Sequence, residues 1–518
     1  MRKDHYYLSI IVLVALLVRI GFLCWGRPVF VGWFNHTYYY YVEVKGLLLQ
    51  GAMPYADMPL LFYLYAATAE LLSWFGLSTE LAIVVASRAW MCLIPALMPI
   101  PIYWLFRRIT AKGPPLASNL WVLVAASAFL PLSLLHLPEF SQKNVLGLLL
   151  LTFWVGSVQQ NLRHSSRRRQ LELGLLLLAI VLTHFGTTAA TLLYAVAVAA
   201  ALFLTRKQGL PIARLLLSGL GATLLVLLLI WWIDAARFER IFFYLGQSLN
   251  SSFLGQIFAV GSTVADRLMA LVGLFLPLTI GWLLFRDYRR RKAKLPSWSS
   301  TFYLSQIIWC YLLVLPIYDQ LLLARLLQFA YLPALLIMAY WLVDGNVRNW
   351  MKKTMMLVIS LGCLALAFGE FMGRMLQNPN AAAIHADLQQ LQREVELGPD
   401  DLIVTKNGAE HICNWFLGTK AGTITALQLD DFDRYERIFV LNPIEGSLNY
   451  RDLAGRRATN EADRYLFMLR NIPPPATAIA VYQSDYMQFF VLPQVPPEWE
   501  FNASGDWISY GSTIIPND

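Results

Sequence analysis

Apolar residues are grouped in blocks of about 17–25 residues over most of the chain, and short polar stretches separate the blocks. Since a helix of that length crosses the hydrocarbon core of a bilayer, we predict about eleven transmembrane helices. The predicted spans lie near residues 7–25, 82–106, 118–135, 143–158, 171–185, 187–205, 212–233, 268–285, 300–316, 320–343 and 354–372. The pair 171–185 and 187–205 is short enough that one re-entrant hairpin is an alternative.

The pattern changes near Gly373. Residues 381–396 have the spacing of an amphipathic helix, with Leu388, Leu391 and Val395 on one face. Short apolar runs follow at 402–404, 438–441, 478–481 and 489–492, separated by polar or proline-rich turns. Helical stretches around 408–417 and 460–470 alternate with them, which is typical of an α/β domain. We therefore predict an α-helical polytopic membrane domain over 1–375 and a C-terminal extracytoplasmic α/β domain over 376–518.

The charges support one orientation. Hydrophobic residues make up 57% of the 518 residues and charged residues only 14%. The net charge of +8 comes largely from basic clusters between apolar blocks, which indicates cytoplasmic loops and not nucleic-acid binding. The clusters are Arg107, Arg108 and Lys112; Arg163 and Arg167 to Arg169; Arg206 and Lys207; Arg286 and Arg289 to Lys292; and Arg348, Lys352 and Lys353. All of them are cytoplasmic if the N-terminus is cytoplasmic, so we expect a multi-pass protein of the bacterial cytoplasmic (inner) membrane with a periplasmic C-terminal domain.

The first external loop, residues 26–81, is longer and more regularly patterned than a simple connection between two spans requires. A helical pattern from Val42 to Gln50 is followed by the turn segment GAMPYADMP at 51–59 and by a second apolar helix. We predict two helices along the membrane surface with a tight turn between them. The tyrosines at 38–41 are typical of an interfacial aromatic belt.

Two arginines, Arg88 and Arg325, lie inside apolar spans near their outer ends. A charge in the membrane is costly unless it is paired or lines a polar cavity, and the arginine fork suits a phosphate group. We predict that both arginines bind a lipid phosphate. Structural pairing with Glu139 or Asp319 is the alternative.

Three segments of the chain resemble one family. They are GAMPYADMP with its flanking helices, ASRAWMCLIPALMPIPIYWLFRR at 86–108, and ARLLQFAYLPALLIMAYWL at 324–342. These segments resemble GT-C glycosyltransferases, which include aminoarabinose transferases, protein O-mannosyltransferases and oligosaccharyltransferases. The resemblance implies membrane spans followed by an external domain. It also implies transfer of a sugar from a polyprenyl-phosphate donor to a lipid, glycan or protein acceptor in the cell envelope.

The first external loop departs from the family in one respect. GT-C enzymes usually carry an acidic residue shortly before the tyrosine and the glycine of this loop, and here His36 occupies that place. A neutral imidazole can accept a proton near pH 7, so base chemistry stays open. A divalent metal is compatible with the family, but this motif does not support one. Alternatively, His36 is only a polar loop residue.

The resemblance also indicates where the other site residues lie. Asp57 is in the turn and Glu139 is in the loop 136–142, two places where the family presents acidic residues. Their alternatives are a helix cap and a solvated side chain. We predict Glu139, Asp57 and His36 as catalytic, with no metal ligands assigned. The predicted substrate-binding residues are Arg88, Arg325, Lys143, Tyr55 and His184.

Lys143 has an alternative of its own, because a lysine at the end of a span can extend its charge to the interface. Two other functions stay open for the whole chain. A transporter or flippase of a lipid-linked substrate would place charges near the midplane and repeat its two halves, and the sequence has neither feature. A non-catalytic GT-C-like scaffold would explain the missing acidic residue.

Overall fold

The structure, a computed structural model, describes residues 2–24, 35–55, 57–109, 116–128, 138–205, 264–315, 328–343, 348–374, 381–405, 409–443, 474–505 and 507–509, with a few isolated positions between 221 and 239 and at 326. The described residues form mostly helices up to position 394. A small sheet follows from position 401.

The helices follow the apolar blocks of the sequence. They are α1 (Arg2–Cys24), α2 (Asn35–Gln50), α3 (Leu60–Trp74), α4 (Thr79–Ala96), α5 (Pro99–Ile109), α6 (Ser118–Ala126), α7 (Pro138–Arg163), α8 (Arg167–Val181), α9 (Phe185–Leu204), α10 (Val264–Arg291), α11 (Ser297–Leu312), α12 (Tyr331–Val343), α13 (Asn349–Arg374), α14 (Ala381–Glu394), α15 (Glu410–Leu417) and α16 (Asp431–Arg434).

Among the described residues, four helical stretches are long and apolar enough to cross a membrane: Lys3–Gly21, Thr79–Arg108, Gln142–Arg163 and Phe185–Leu204. They coincide with predicted spans, and they indicate a membrane protein. The number of spans stays a prediction, because the predicted span 212–233 and the start of 320–343 lie largely outside the described residues.

The chain folds into two compact units. The first unit contains Met1–Gly21, Tyr55–Ala67 and Arg88–Ala367; the second contains Phe22–Pro54, Thr68–Ser87 and Phe368–Asp518. The second unit thus groups the C-terminal region with residues 22–54 and 68–87, although these are far apart from it in sequence. The predicted division at 375–376 stays a prediction.

Small residues allow close helix packing in the first unit. A Cβ added at Gly147 of α7 would lie 2.3 Å from Thr187 Oγ1 on α9, and one at Gly281 of α10 would lie 3.1 Å from Cys310 Cβ on α11. Such close approach is the usual way in which apolar helices associate in a membrane. Between α9 and α11, Gln306 Nε2 donates to the buried Tyr194 hydroxyl at 2.7 Å.

The N-terminal turn of α1 is held by a buried carboxylate. Asp4 is 1% exposed and accepts hydrogen bonds from the Tyr103 hydroxyl and the Leu116 backbone N–H, both at 3.3 Å. Arg107 Nε lies 3.8 Å from the same carboxylate. These contacts satisfy a charge that would otherwise be costly to bury.

The second unit contains a five-stranded mixed sheet with strand order β2-β1-β3-β5-β4. Its strands are β1 (Asp401–Thr405), β2 (Lys420–Thr423), β3 (Arg437–Pro443), β4 (Ile479–Gln483) and β5 (Met487–Leu492). Strand β1 pairs in parallel with β2 and β3, whereas β5 is antiparallel to β3 and β4. One face packs on α14 and α15, where Leu388, Leu391 and Cys413 join Phe439 and Phe489 in a core cluster. Strands β6 (Glu500–Phe501) and β7 (Trp507–Ser509) form a separate antiparallel pair.

The turn after α2 depends on two glycines. Gly51 has φ +72, a conformation that favours glycine. A Cβ at Gly46 would lie 2.4 Å from Pro54 Cδ, so the ring of Pro54 packs directly on the helix backbone. The predicted tight turn after the surface helix is therefore present.

The tyrosines of α2 do not form the predicted aromatic belt. Tyr38 and Tyr41 are 2% and 0% exposed. The Tyr38 ring lies 5.6 Å from Phe416, and the Tyr41 ring lies 5.3 Å from Trp415, both on α15. These tyrosines pack α2 on the C-terminal region, so they are unavailable to the membrane interface.

Candidate functional site

Four helices of the first unit meet where several predicted site residues lie. The Leu60 backbone N–H at the start of α3 donates to the Leu182 carbonyl at the end of α8, at 2.9 Å. Thr187 of α9 touches α7 at Gly147, one helical turn after Lys143. The segment 57–60, the beginning of α7 and the junction of α8 and α9 are therefore close neighbours.

An ion pair lies at the centre of this region. Lys143 Nζ donates to Asp57 Oδ2, while Asp57 Oδ1 accepts from the Met58 backbone N–H at 2.6 Å. The two side chains are 15% and 18% exposed. The Lys143 ammonium also lies 5.6 Å from the centre of the Phe62 ring. Asp57 thus both orders the turn before α3 and holds the lysine in a partly desolvated position.

A chain of polar side chains connects α7 to Arg88. The Tyr65 hydroxyl donates to Gln142 Oε1, and Gln142 Nε2 lies 4.0 Å from Met91 Sδ. Arg88 Nη1 lies 3.9 Å from the same sulfur. Arg88 is 4% exposed. Arg88 and Gln142 thus contact the same sulfur, and Gln142 directly precedes Lys143 on α7.

His184 precedes α9 and caps it. Its Nδ1 accepts a hydrogen bond from the Thr187 backbone N–H at 3.3 Å. A Cβ at Gly186 would lie 2.9 Å from the His184 ring, so glycine leaves room for the imidazole. The cap gives His184 a structural role at the edge of the site, and its predicted contact with substrate stays a prediction.

The remaining predicted residues are less fully described. Tyr55 is half-buried, two residues before Asp57 in the same unit. Glu139 lies on α7 one helical turn before Lys143, and His36 lies in α2 of the second unit; the side chains of both are outside the described atoms. Arg325 and its suggested partner Asp319 lie outside the described residues.

Three site residues were missed by sequence reasoning: Gln142, Tyr65 and Met91. Gln142 directly precedes Lys143 in the polar stretch between two spans, and this neighbourhood was the available signal. Tyr65 and Met91 resemble ordinary apolar helix residues in sequence. Nothing local marks them as part of a polar chain.

The described residues contain no group of three or more His, Cys, Asp or Glu side chains that could hold a metal ion. They therefore assign no metal ligands. The described site instead contains the buried Arg88 guanidinium and the partly buried Lys143 ammonium. The Asp57 carboxylate neutralises the ammonium. Such a set favours an anionic group that can engage both cations.

Comparison with known proteins gives the fold. No family model matches the chain, and no curated protein sequence matches it. Among solved structures, it is similar to the archaeal oligosaccharyltransferase AglB from Archaeoglobus fulgidus, in complex with an inhibitory peptide and a dolichol-phosphate. That match has TM-score 0.53 and 12% identity, over 89% of this chain and 75% of AglB.

It is also similar to ArnT from Cupriavidus metallidurans bound to undecaprenyl phosphate. That match has TM-score 0.52 and 15% identity, over 93% of this chain and 97% of ArnT. Both matches span most of the chain. The resemblance read from the three sequence segments is thereby confirmed at the level of the fold, and the chain has the fold of the GT-C membrane glycosyltransferases.

Proposed function

We propose that the protein is a glycosyltransferase that moves a sugar from a polyprenyl-phosphate donor to an acceptor on the outer side of the bacterial cytoplasmic membrane. The observation that carries the proposal is the presence, in one unit, of the buried Arg88 and the Lys143–Asp57 ion pair, within a fold shared with ArnT and AglB. ArnT is described with undecaprenyl phosphate and AglB with a dolichol-phosphate. Both ligands present a phosphate on a long lipid, the chemistry that the two cations suit.

In this proposal, Arg88 and Lys143 hold the donor phosphate. As the bond between sugar and phosphate breaks, negative charge accumulates on the departing phosphate, and fixed cations stabilise it. A guanidinium that is 4% exposed is especially effective because little water screens it. Arg325, in the span that resembles the late arginine-bearing span of the family, is proposed as a further phosphate ligand.

The acceptor hydroxyl must lose a proton during transfer, so the site needs a base. Asp57 is engaged by Lys143 and by the Met58 backbone N–H. Glu139, one turn before Lys143 on α7, is our preferred base, with His36 as the second candidate. Tyr55 and His184 are proposed to border the bound substrate. We place the C-terminal α/β region on the periplasmic side, where it would meet the acceptor.

The Arg88→Ala variant tests the donor assignment. Removing a charge-assisted fork to phosphate costs about 3 kcal/mol for two hydrogen bonds, which corresponds to a fall in kcat/KM of about 100-fold. The measurement is transfer from a radiolabelled polyprenyl-phosphate sugar by the full chain in detergent. Arg88→Lys should restore part of the rate, because it retains the charge but not the fork.

Arg19→Ala is the matched control. Arg19 is another buried arginine of the first unit, 9% exposed, and its Nη2 donates to the Ala128 carbonyl at 2.7 Å. Its loss should reduce the yield of folded protein while leaving turnover per folded molecule within about twofold. Full turnover by folded Arg88→Ala would refute the phosphate assignment.

The role of Asp57 can be separated from that of a base. If Asp57 only positions Lys143, Asp57→Asn should be slow, and the double variant Asp57→Asn/Lys143→Met should be no slower than Lys143→Met alone, because the two changes remove one interaction. If Asp57 takes the proton, the double variant should be much slower than either single variant.

A further inference from the structure

A cavity of about 320 Å³ opens in the first unit between the ends of α5, α7, α8 and α11. Its lining combines three arginines, two glutamines, a histidine and a tryptophan. The arginines lie at helix ends: Arg108 at the end of α5, Arg163 at the end of α7 and Arg169 in the first turn of α8. The cavity is lined by the end of α7, about 30 Å along the helix from Lys143 at its beginning, so it is distinct from the candidate site.

The arginines are held in place by the backbone and by aromatic contact. Arg108 Nη1 donates to the Gly156 carbonyl at 2.8 Å, and a Cβ at position 156 would lie 2.9 Å from that nitrogen. Arg163 lies over the Trp298 ring at 5.6 Å. Arg169 donates to the His164 carbonyl. Glycine at 156 thus admits the Arg108 guanidinium, which also donates to the Gln160 side-chain oxygen. Arg163 and Arg169 keep N–H groups for a ligand.

No acidic side chain lines this cavity among the described residues. Glu172 lines an adjoining cavity of about 240 Å³, which it shares with Arg108, and it accepts a hydrogen bond from the Ser157 hydroxyl at 2.7 Å. One carboxylate beside three guanidinium groups leaves a net positive charge. The cavity therefore favours an anion.

Gln159 gives an independent indication of a ligand. It lines the cavity and is only 2% exposed, yet neither its amide nitrogen nor its amide oxygen has a hydrogen-bond partner within the described protein. Buried amides are almost always paired. The nitrogen requires an acceptor, such as a phosphate oxygen, and the oxygen requires a donor, such as a hydroxyl.

We infer that this cavity binds the phosphate of an anionic phospholipid whose headgroup also carries a hydroxyl, such as phosphatidylglycerol. The arginines would engage the phosphate, and Gln159 would bridge the phosphate and the hydroxyl. The helix ends around the cavity carry basic clusters of the kind that faces the anionic cytoplasmic leaflet. Trp298 provides an aromatic ring of the type enriched at the membrane interface.

The experiment uses the full chain in detergent, with phosphatidylglycerol added and bound lipid counted by native mass spectrometry. Gln159→Leu and Arg163→Gln/Arg169→Gln should each weaken phosphatidylglycerol binding by about tenfold or more. The matched control is Arg289→Gln/Arg290→Gln, which removes the same charge from exposed arginines at the end of α10. This control should bind within about twofold of the wild type. Elution as a single species in size-exclusion chromatography verifies that each variant is folded. The variant Arg163→Lys/Arg169→Lys, which keeps both charges, should recover most of the phosphatidylglycerol binding.

A second arm adds inorganic phosphate alone, at matched concentration. Saturable phosphate binding that Gln159→Leu abolishes would support the phosphate chemistry with a soluble source. Lipid binding without phosphate binding would identify the headgroup as the ligand. Equal loss of phosphatidylglycerol in the cavity variants and in the control, or no binding of either probe, would overturn the inference.

Discussion

His385 on α14 joins the C-terminal region to α2 through a partly buried hydrogen bond. Its Nε2 lies 2.6 Å from the Tyr38 hydroxyl, and its ring lies 4.7 Å from Phe416. Burial lowers the pKa of His385 to about 4. The folded protein therefore keeps this imidazole neutral at pH values where a solvent-exposed histidine is already protonated.

The sign and size of the pH effect follow from that pKa. As the pH falls through the ordinary value of 6.5, the unfolded segment takes up a proton, and the folded segment does so only near pH 4. The stabilisation is complete above pH 6.5 and is lost between pH 6.5 and about 4. At about 1.36 kcal/mol per pH unit, the loss is about 3 kcal/mol, and about 2 kcal/mol after allowance for solvent screening at a half-buried ring.

The assay is native-state hydrogen exchange of the α2 and α14 amides in the full chain, corrected for the intrinsic pH dependence of exchange. The variant is His385→Gln, whose side-chain oxygen can still accept from Tyr38 but does not titrate. Wild-type opening free energy should fall by about 2 kcal/mol from pH 7 to pH 4.5, and the variant should lose less than half of that. Other groups titrate equally in both proteins, so the difference isolates His385. Parallel loss of protection in the two proteins would refute the reasoning.

Three further predictions concern stability. Asp401→Asn should lower the free energy of unfolding of the C-terminal region by about 2 kcal/mol, because the buried carboxylate accepts hydrogen bonds from Arg437 at 3.0 and 2.7 Å. A denaturant titration measures this loss, and an unchanged free energy of unfolding would contradict the prediction. Gly51→Val should cost about 1–2 kcal/mol in thermal unfolding, and Gly51→Asn, which tolerates positive φ, much less. Gly147→Ala should cost about 1–3 kcal/mol through overpacking, whereas Gly174→Ala, with open space around its Cβ, should not destabilise.

The apolar pattern predicted local structure well. Four blocks became helices long enough to cross a membrane. The apolar runs 402–404, 438–441, 478–481 and 489–492 coincide with β1, β3, β4 and β5. Strand β2 was missed because its sequence, Lys-Ala-Gly-Thr, is short and contains no apolar run; its pairing with β1 comes from tertiary context. The predicted helix near 460–470 lies outside the described residues.

The partners of each element were harder to predict than the elements. The tyrosines of α2 have the composition of an interfacial belt, but their partners Trp415 and Phe416 lie more than 370 residues further along the chain. A periodic pattern shows that a face is apolar, not what covers it. The cations of the site were predictable because a charge inside an apolar span is conspicuous, whereas the Tyr65–Gln142–Met91 connection depends on packing between helices.

The histidine at position 36 and the Asp57–Lys143 ion pair both concern which residue acts as the base. In the usual family pattern, an acidic residue follows the first span, and Asp57 is the acidic residue of the turn segment 51–59 in this chain. Its carboxylate oxygens, however, already accept from Lys143 and from the Met58 backbone N–H. Asp57 balances the charge of Lys143, and the buried Arg88 guanidinium is a second cation of the kind that suits a phosphate. Our proposal therefore takes the base from outside this pair, and Glu139 on α7, one turn before Lys143, stays the proposed base.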